Sequence, residues 1–172
     1  TNIEPIADNG TVTLGSSGDT FALASGVKNQ LNRPAFLLKR GSTQSFSNNT
    51  YTKVALDTAE IDTDSGLDST NNRWIVPTGK SGNYLITYQH VFNSSADFIV
   101  NTHFKVNGVD NSGFAHWGDN TYYTGFPLTT LINLSDGDYV ELFARQISGG
   151  SLNGYDNDQG INTFLGGYRI GD

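Results

Sequence analysis

The sequence predicts an all-β protein. Only three of its 17 acidic residues are glutamate, and the many aspartates, together with 20 glycines, favour turns over helices. From Pro34 onward, short runs with period-2 alternation, or with β-branched and aromatic residues, are separated by turn signals. Helical periodicity is absent throughout. We therefore expect a sandwich or barrel of β-strands.

Eight segments are predicted to be strands. In chain order they are residues 34–40, 51–57, 73–77, 83–92, 97–106, 126–134, 138–147 and 162–170. Alternation in YLITYQHVF places Tyr84, Ile86, Tyr88, His90 and Phe92 on one face, and Leu85, Thr87, Gln89 and Val91 on the other. Neither face has the polar composition of a surface exposed to solvent.

Two dipeptides predict turns. Asn107-Gly108 is a strong signal for a two-residue hairpin, and Asp136-Gly137 predicts a similar turn before the strand YVELFA. Residues 1–33 contain only two short alternating patches, TVTL and TFALA, separated by SSGD. We therefore expect residues 1–33 to be an N-terminal arm and residues 34–172 to be one β-domain, with Pro34 at the boundary.

Composition excludes several classes of partner. The net charge is −7, the pI is about 4.7 and the ten Lys and Arg residues are scattered singly, which argues against nucleic acid or an anionic membrane. Zero cysteines exclude disulfides, a thiolate nucleophile and zinc–thiolate sites. No apolar run is long enough to span a membrane, and we expect no signal peptide.

The order of several motifs resembles the C1q/TNF-like jelly roll. The motifs are Pro34-Ala35-Phe36, Val54-Ala55-Leu56-Asp57, Trp74-Ile75-Val76-Pro77, GNYLITY at 82–88, Lys105-Val106-Asn107-Gly108, LSDGDYV at 134–140 and Phe164-Leu165-Gly166-Gly167-Tyr168. The resemblance covers residues 34–172 and implies an antiparallel jelly-roll β-sandwich. The sequence departs from the family in two places: segment 95–126 is more aromatic than the family pattern, and no collagen-like stalk precedes the domain.

The resemblance also implies a homotrimer that packs through aromatic and apolar residues of one sheet. The residues expected at that interface are Phe36, Tyr84, Tyr88, Phe92, Phe164 and Tyr168. The Gly/Ser/Thr/Asn-rich style, the absence of cysteine and the leading GTVTLGSSGDTFALASG are similar to C1q-like domains in virion proteins of tailed bacteriophages. This implies a capsid decoration or cement protein, or a short head fibre, on the virion surface. The arm would then attach the trimer to the major capsid protein or another virion protein.

An aromatic loop suggests an alternative function. FAHWGDNTYY combines rings with acid and amide groups, a combination suited to sugars, because rings stack on a pyranose while polar groups bind its hydroxyls. The residues expected to bind the glycan are His116, Trp117, Asp119, Tyr122 and Tyr123. On this interpretation the protein is the receptor-binding tip of a phage fibre. The alternative role for these aromatics is to fill the trimer interface or to anchor a long loop.

Two acidic loops leave calcium open, although no cofactor is otherwise expected. Asp62, Asp64 and Asp68 alternate in DTDSGLD, and Asp156, Asp158 and Asn162 do so in YDNDQGIN. Both loops fail the EF-hand pattern, and solvated turns are the simpler interpretation. Paired carboxylates such as Asp136 and Asp138 have an acid/base role in glycosidases, but no nucleophile elbow or HExxH motif occurs. We expect no enzymatic activity.

Overall fold

A computed structural model describes residues 33–94, 96–118, 122–154 and 163–171, with Tyr122 described by its backbone alone. These residues form fifteen strands and no helix, which confirms the all-β prediction. The strands are β1 Ala35–Lys39, β2 Gln44–Phe46, β3 Thr52–Lys53, β4 Thr58–Asp62, β5 Leu67–Asp68, β6 Arg73–Ile75, β7 Gly82–Gln89, β8 Phe92–Ser94, β9 Phe98–Val106, β10 Val109–Gly118, β11 Tyr122–Thr124, β12 Leu128–Leu134, β13 Tyr139–Ile147, β14 Leu152–Gly154 and β15 Phe164–Gly171. Within these ranges, no helix is available to cross a membrane.

The strands form three antiparallel sheets. The first has the order β12-β7-β15-β1-β4, and the second has the order β10-β9-β13-β6-β5, with β3 also paired to β13. A smaller sheet has the order β11-β8-β14-β2. Chain neighbours such as β12 and β13 belong to different sheets, so the chain crosses repeatedly between the two large sheets.

The core lies between the inward faces of the sheets. Strand β7 alternates strictly, with Tyr84, Ile86 and Tyr88 buried and the intervening residues partly exposed. From the other large sheet, Phe104, Val140 and Leu142 are also fully buried. Burial of each large apolar side chain contributes about 1.5–3 kcal/mol to the free energy of folding, so this face of β7 fixes the strand's orientation.

Trp74 on β6 joins the two large sheets at one end of the core. Its ring stacks on Phe36 of β1 with centroids 4.1 Å apart, and it meets Tyr84 edge to face at 5.7 Å. The buried indole Nε1–H donates to a carboxylate oxygen of Asp62 at 3.2 Å. Burial of this nitrogen therefore leaves no unpaired donor, as a buried polar group requires.

The Asn107-Gly108 hairpin is confirmed, with φ values of 51° and 78° that suit this dipeptide. It joins β9 to β10, the longest strand, which the eight predicted strands omitted. Strand β10 lies at an edge and its sequence lacks simple alternation, because a bulge shifts its register between Asp110 and Ser112. The predicted turn at Asp136-Gly137 is also present, but it leads from one sheet to the other.

Candidate functional site

The outward side of the β12-β7-β15-β1-β4 sheet is apolar at its centre. We call this surface the sheet face and define it by Leu37, Ile61, Leu85, Leu131, Phe164 and Tyr168. Backbone register places Tyr168 beside Leu85 and Leu85 beside Leu131, with Ile61 beside Leu37 in a neighbouring row. Leu131 is 64% exposed and Tyr168 46% exposed. An exposed apolar cluster on a sheet is a candidate contact surface.

Polar groups on the sheet face are largely paired with each other. Thr129 donates to Thr87 at 3.3 Å, and the Asn133 amide donates to Asn83 at 3.1 Å. At one end, Lys39 forms an ion pair with Glu60. The sheet face can therefore be covered by another molecule without burying an unpaired charge at its centre, which would be costly.

A second exposed apolar group lies where β10 and the start of β12 form the sheet edges. We call it the edge cluster, and it consists of Phe114, His116 and Phe126. The His116 ring lies 4.1 Å from Phe126 and 5.2 Å from Phe114, centroid to centroid. Neither of its ring nitrogens has a hydrogen-bond partner within the described residues, and burial lowers the pKa of His116. The edge cluster therefore presents a neutral imidazole between two half-exposed rings.

The structure corrects four of the six residues predicted for the trimer interface. Phe36, Tyr84, Tyr88 and Phe92 are buried in the core of a single chain, with at most 3% of their surface exposed. A side chain with no exposed surface contributes no contact area to a neighbouring subunit. The other two residues, Phe164 and Tyr168, do point outward on the sheet face.

The residues predicted to bind glycan are not gathered into one site. His116 faces inward with the edge cluster, whereas Trp117 points outward from the opposite side of β10 and is 76% exposed. Tyr123 lies on β11 and is 41% exposed. Asp119 and the side chain of Tyr122 lie outside the described residues.

The predicted calcium ligands have separate partners. Asp62 accepts hydrogen bonds from the backbone N–H groups of Gly66 and Leu67, both at 2.9 Å, in addition to the Trp74 indole. Asp64 pairs with Lys80 at 2.8 Å, which lowers its pKa, and Asp68 binds Asn71 and Arg73. No three acidic or histidine side chains within the described ranges are placed to share a metal ion. Asp156, Asp158 and Asn162 lie outside those ranges.

The carboxylates of Asp136 and Asp138 have structural partners. Asp136 accepts the backbone N–H groups of Gly79, Lys80 and Ser81 at 2.6–3.0 Å and the Ser81 hydroxyl at 2.7 Å. These donors, led by the hydroxyl, lower the pKa of Asp136 to about 2. Asp138 accepts the Asn107 amide at 2.8 Å. Asp136, which is held ionised by its donors, does not serve as a general acid near neutral pH.

Comparison with known proteins identifies the fold. The globular domain of zebrafish complement 1qA protein matches with a TM-score of 0.53 and 13% identity, covering 80% of this chain and 97% of that one. Murine APRIL matches with a TM-score of 0.57 and 16% sequence identity, over 80% of this chain and 99% of that one. Eiger TNF from S. frugiperda matches with a TM-score of 0.57 and 16% sequence identity, over 81% of this chain and 92% of that one. No protein-family model and no curated protein matches the sequence.

The chain therefore has a C1q/TNF-like jelly-roll fold, as the motif order predicted. At these sequence identities the comparison shows the fold alone, so any function has to be argued from the surfaces of the protein. The prediction from sequence missed most of the sheet face, including Leu131, Leu37 and Ile61. The alternation of β7 separated its two faces but did not distinguish the outward one, because both faces carry apolar residues.

Proposed function

We propose that the protein is a non-enzymatic homotrimeric head on the surface of a tailed-phage virion, acting as a capsid decoration or cement protein or as a short head fibre. The observation that carries the proposal is the exposed apolar sheet face, since a free jelly roll would leave Leu131 and Tyr168 in water. The C1q/TNF-like fold supports the same assembly, because the family resemblance implies a trimer.

The presence of two different apolar surfaces favours a ring over a two-fold dimer. A two-fold contact places the same patch on both subunits, whereas a closed three-fold ring joins one patch to a different patch of the next subunit. The sheet face and the edge cluster are two such patches. We infer that the edge cluster of each protomer packs against the sheet face of its neighbour.

The phenyl rings of the edge cluster support this arrangement. Phe126 is 51% exposed and Phe114 36% exposed, so both have surface available to a neighbouring subunit. The two ring nitrogens of His116 are already buried within the single chain, so the phenyl rings, and not the imidazole nitrogens, supply the contact.

The virion role rests on sequence style and on the N-terminal arm. The chain combines zero cysteines with a Gly/Ser/Thr-rich leading segment, which is similar to phage virion proteins. In this proposal residues 1–33 attach the trimer to the major capsid protein or another virion protein. The outward surface of an acidic protein with a net charge of −7 would keep particles dispersed.

The solution mass of the full chain tests the assembly. The expected trimer weighs about 56 kDa, which is three times the 18.6 kDa chain. Leu131→Asp should give a monomer, because it places a charge in the contact. Val109→Asp is the matched control, since Val109 is similarly exposed at 69% but lies near the β9–β10 hairpin. A wild-type monomer at micromolar concentration would refute the proposal.

Particle composition tests the location. Mass spectrometry of purified virions should detect the chain as a structural component, and antibodies against the jelly roll should label the particle surface. Deletion of residues 1–33 should abolish labelling, but the shortened chain should still assemble as a trimer. If the shortened chain still binds particles, the arm is not the attachment segment.

The second candidate is the receptor-binding tip of a phage fibre that recognises host polysaccharide. The specific observation in its favour is Trp117, which is 76% exposed on the outward side of β10. An indole exposed to this extent is available to stack on a sugar ring. Glycan-array binding that is lost in Trp117→Ala would favour this candidate, and a blank array would favour decoration.

A further inference from the structure

We propose that the outward side of the β10-β9-β13-β6-β5 sheet binds an acidic polysaccharide, with Trp117 stacking on one sugar ring and Arg145 binding the carboxylate of a nearby sugar unit. We call this surface the glycan face and define it by Tyr51, Ala115, Trp117 and Arg145; Asn101, which accepts a hydrogen bond from Arg145, is itself buried. It lies within one chain, so it does not depend on the proposed trimer, but it rests on the second candidate function, because it names the class of polysaccharide bound at Trp117. It includes Trp117 but otherwise differs from the site predicted from sequence.

Backbone register arranges these residues in two adjacent rows. Trp117 of β10 lies beside Ile99 of β9, which lies beside Ile147 of β13. In the next outward row, Ala115 lies beside Asn101, which lies beside Arg145. Two strand spacings across the sheet and two residues along it separate Trp117 from Arg145, or roughly 12 Å between their backbones. This separation is comparable to the length of a disaccharide.

Arg145 is held in place but retains donors for a ligand. Its Nε–H donates to the Asn101 side-chain oxygen at 2.9 Å, and its guanidinium lies 4.7 Å from the centre of the Tyr51 ring. The other cations on this side of the sheet each pair with a carboxylate: Lys53 with Glu141, Arg73 with Asp68 and Lys105 with Asp110. Within the described residues, Arg145 has no carboxylate partner.

Tyr51 is oriented by a hydrogen-bonded histidine. Its hydroxyl lies 3.0 Å from Nε2 of His103, and the two rings are 4.5 Å apart. The ring is 41% exposed, so it presents a second aromatic surface on the far side of Arg145 from Trp117. Because these side chains are positioned before any ligand binds, ordering them on binding would cost little entropy.

The chemistry of the glycan face favours an acidic sugar chain. Along β10, from Trp117 to the position beside His103, Ala115 and Gly113 are exposed and have no bulky side chain. An extended ligand can therefore lie flat there. Indole and phenol rings stack on the apolar faces of pyranoses. The guanidinium fork of Arg145 matches a carboxylate in a bidentate geometry. On a protein with a net charge of −7, an arginine with no carboxylate partner in the described part of the chain supplies local attraction for an anionic ligand.

Tryptophan fluorescence gives a direct test, because the chain has only two tryptophans. Trp74 is fully buried and Trp117 is 76% exposed, so a soluble quencher such as acrylamide should act mainly on Trp117. Oligomers of galacturonic acid, added to the full chain at low salt, should protect Trp117 from quenching. Maltose oligomers of matched length should protect it much less, and added salt should weaken the protection by the acidic oligomers.

Two variants with the same change in charge separate the site from general electrostatics. Arg145→Gln should weaken binding of the acidic oligomers by roughly tenfold, the effect of losing a charge-assisted hydrogen bond. Lys39→Gln, at one end of the sheet face, should leave binding of the acidic oligomers unchanged. The unaltered emission of Trp74 reports that each variant is folded.

Three outcomes would overturn the proposal. If neither kind of oligomer protects Trp117, the glycan face has no such ligand. If both protect it equally and Arg145→Gln has no effect, the ligand is not acidic. If Trp117 resists the quencher in the free protein, another part of the assembly already covers it.

Discussion

His116 and Trp117 are adjacent in the sequence, yet their side chains lie on opposite sides of β10. His116 packs with Phe126 at 4.1 Å in the edge cluster, and Trp117 is 76% exposed above Ile99 on the glycan face. The alternation of a strand separates them. One aromatic segment can therefore take part in assembly through one side and in ligand binding through the other.

We expect substitutions at these two positions to have different effects. His116→Asp places a charge between Phe114 and Phe126 and should shift the trimer toward monomer in light scattering. Trp117→Ala should leave the mass unchanged and remove the quencher-sensitive part of the fluorescence. Loss of the trimer in Trp117→Ala would contradict the separation of the two surfaces.

Asp62 should stabilise the loop after β4 without any metal. Asp62→Ala removes two hydrogen bonds from backbone N–H groups and leaves the buried Trp74 indole unpaired, so we expect the free energy of unfolding to fall by about 3 kcal/mol. Urea denaturation measures this change. Glu60→Ala, which removes a surface ion pair, should cost less than about 1 kcal/mol.

Calcium provides a further test of the same loop. Because Asp62, Asp64 and Asp68 each have protein partners, Asp64→Ala should leave any response of the melting temperature to calcium or EDTA unchanged. A rise of several degrees on adding calcium, absent in Asp64→Ala, would show that the loop binds the ion.

The buried His90 should make the protein less stable in mild acid. Burial, and then the charge of Arg40, hold its pKa well below 6.5 in the folded chain. The unfolded chain takes up a proton near pH 6.5 and the folded chain does not, so the free energy of unfolding should fall as pH drops below that value. Until pH reaches the folded-state pKa, the slope per histidine approaches about 1.4 kcal/mol per pH unit.

Denaturation curves of the wild type and of His90→Gln measure the effect. Between roughly pH 6.5 and 5, the free energy of unfolding should depend less steeply on pH in the variant, because one histidine fewer takes up a proton on unfolding. Part of the slope should persist in the variant, because burial also lowers the pKa of His116. Identical slopes in the two proteins would show that His90 takes up no extra proton on unfolding.

Gly66 is expected to tolerate no side chain. A Cβ atom there would lie 2.4 Å from Nε1 of Trp74 and 2.5 Å from the carbonyl oxygen of Ile75. Gly66→Ala should therefore lower the free energy of unfolding by about 1–3 kcal/mol, as other overpacked sites do. Gly150→Ala is the matched control, since a Cβ atom there meets nothing within 4 Å. Equal stability of the two variants would contradict the packing around Trp74.

The fold was predictable because its determinants are local. Period-2 alternation gives the position and faces of β7, and Asn107-Gly108 gives the β9–β10 hairpin. Strand β10 was not predictable, because its ten residues include two glycines and a bulge and are held by backbone pairing with β9. Its existence depends on its partner strand more than on its own composition.

The candidate surfaces were less predictable for a different reason. Alternation shows that β7 has two faces, but both are rich in apolar residues, so the sequence does not say which one meets the core. The larger Tyr84 and Tyr88 side chains fill the core, and the smaller Leu85 lies outside. Arg145 and Trp117 are 28 positions apart in the chain, and only the pairing of β9 with both β10 and β13 brings them to one face.

The contact of Asp136 with residues 79–81 has a dynamic consequence. Those three amides belong to a surface loop, where exchange with solvent deuterium is usually fast, but a carboxylate from a distant turn accepts all three. They should exchange as slowly as amides in a sheet, and proteases should cut poorly between Gly79 and Ser81. The carboxylate's pKa of about 2 means that this protection persists in acid strong enough to neutralise most other aspartates. We therefore expect these two loops, which are far apart in the chain, to open together as a single unit.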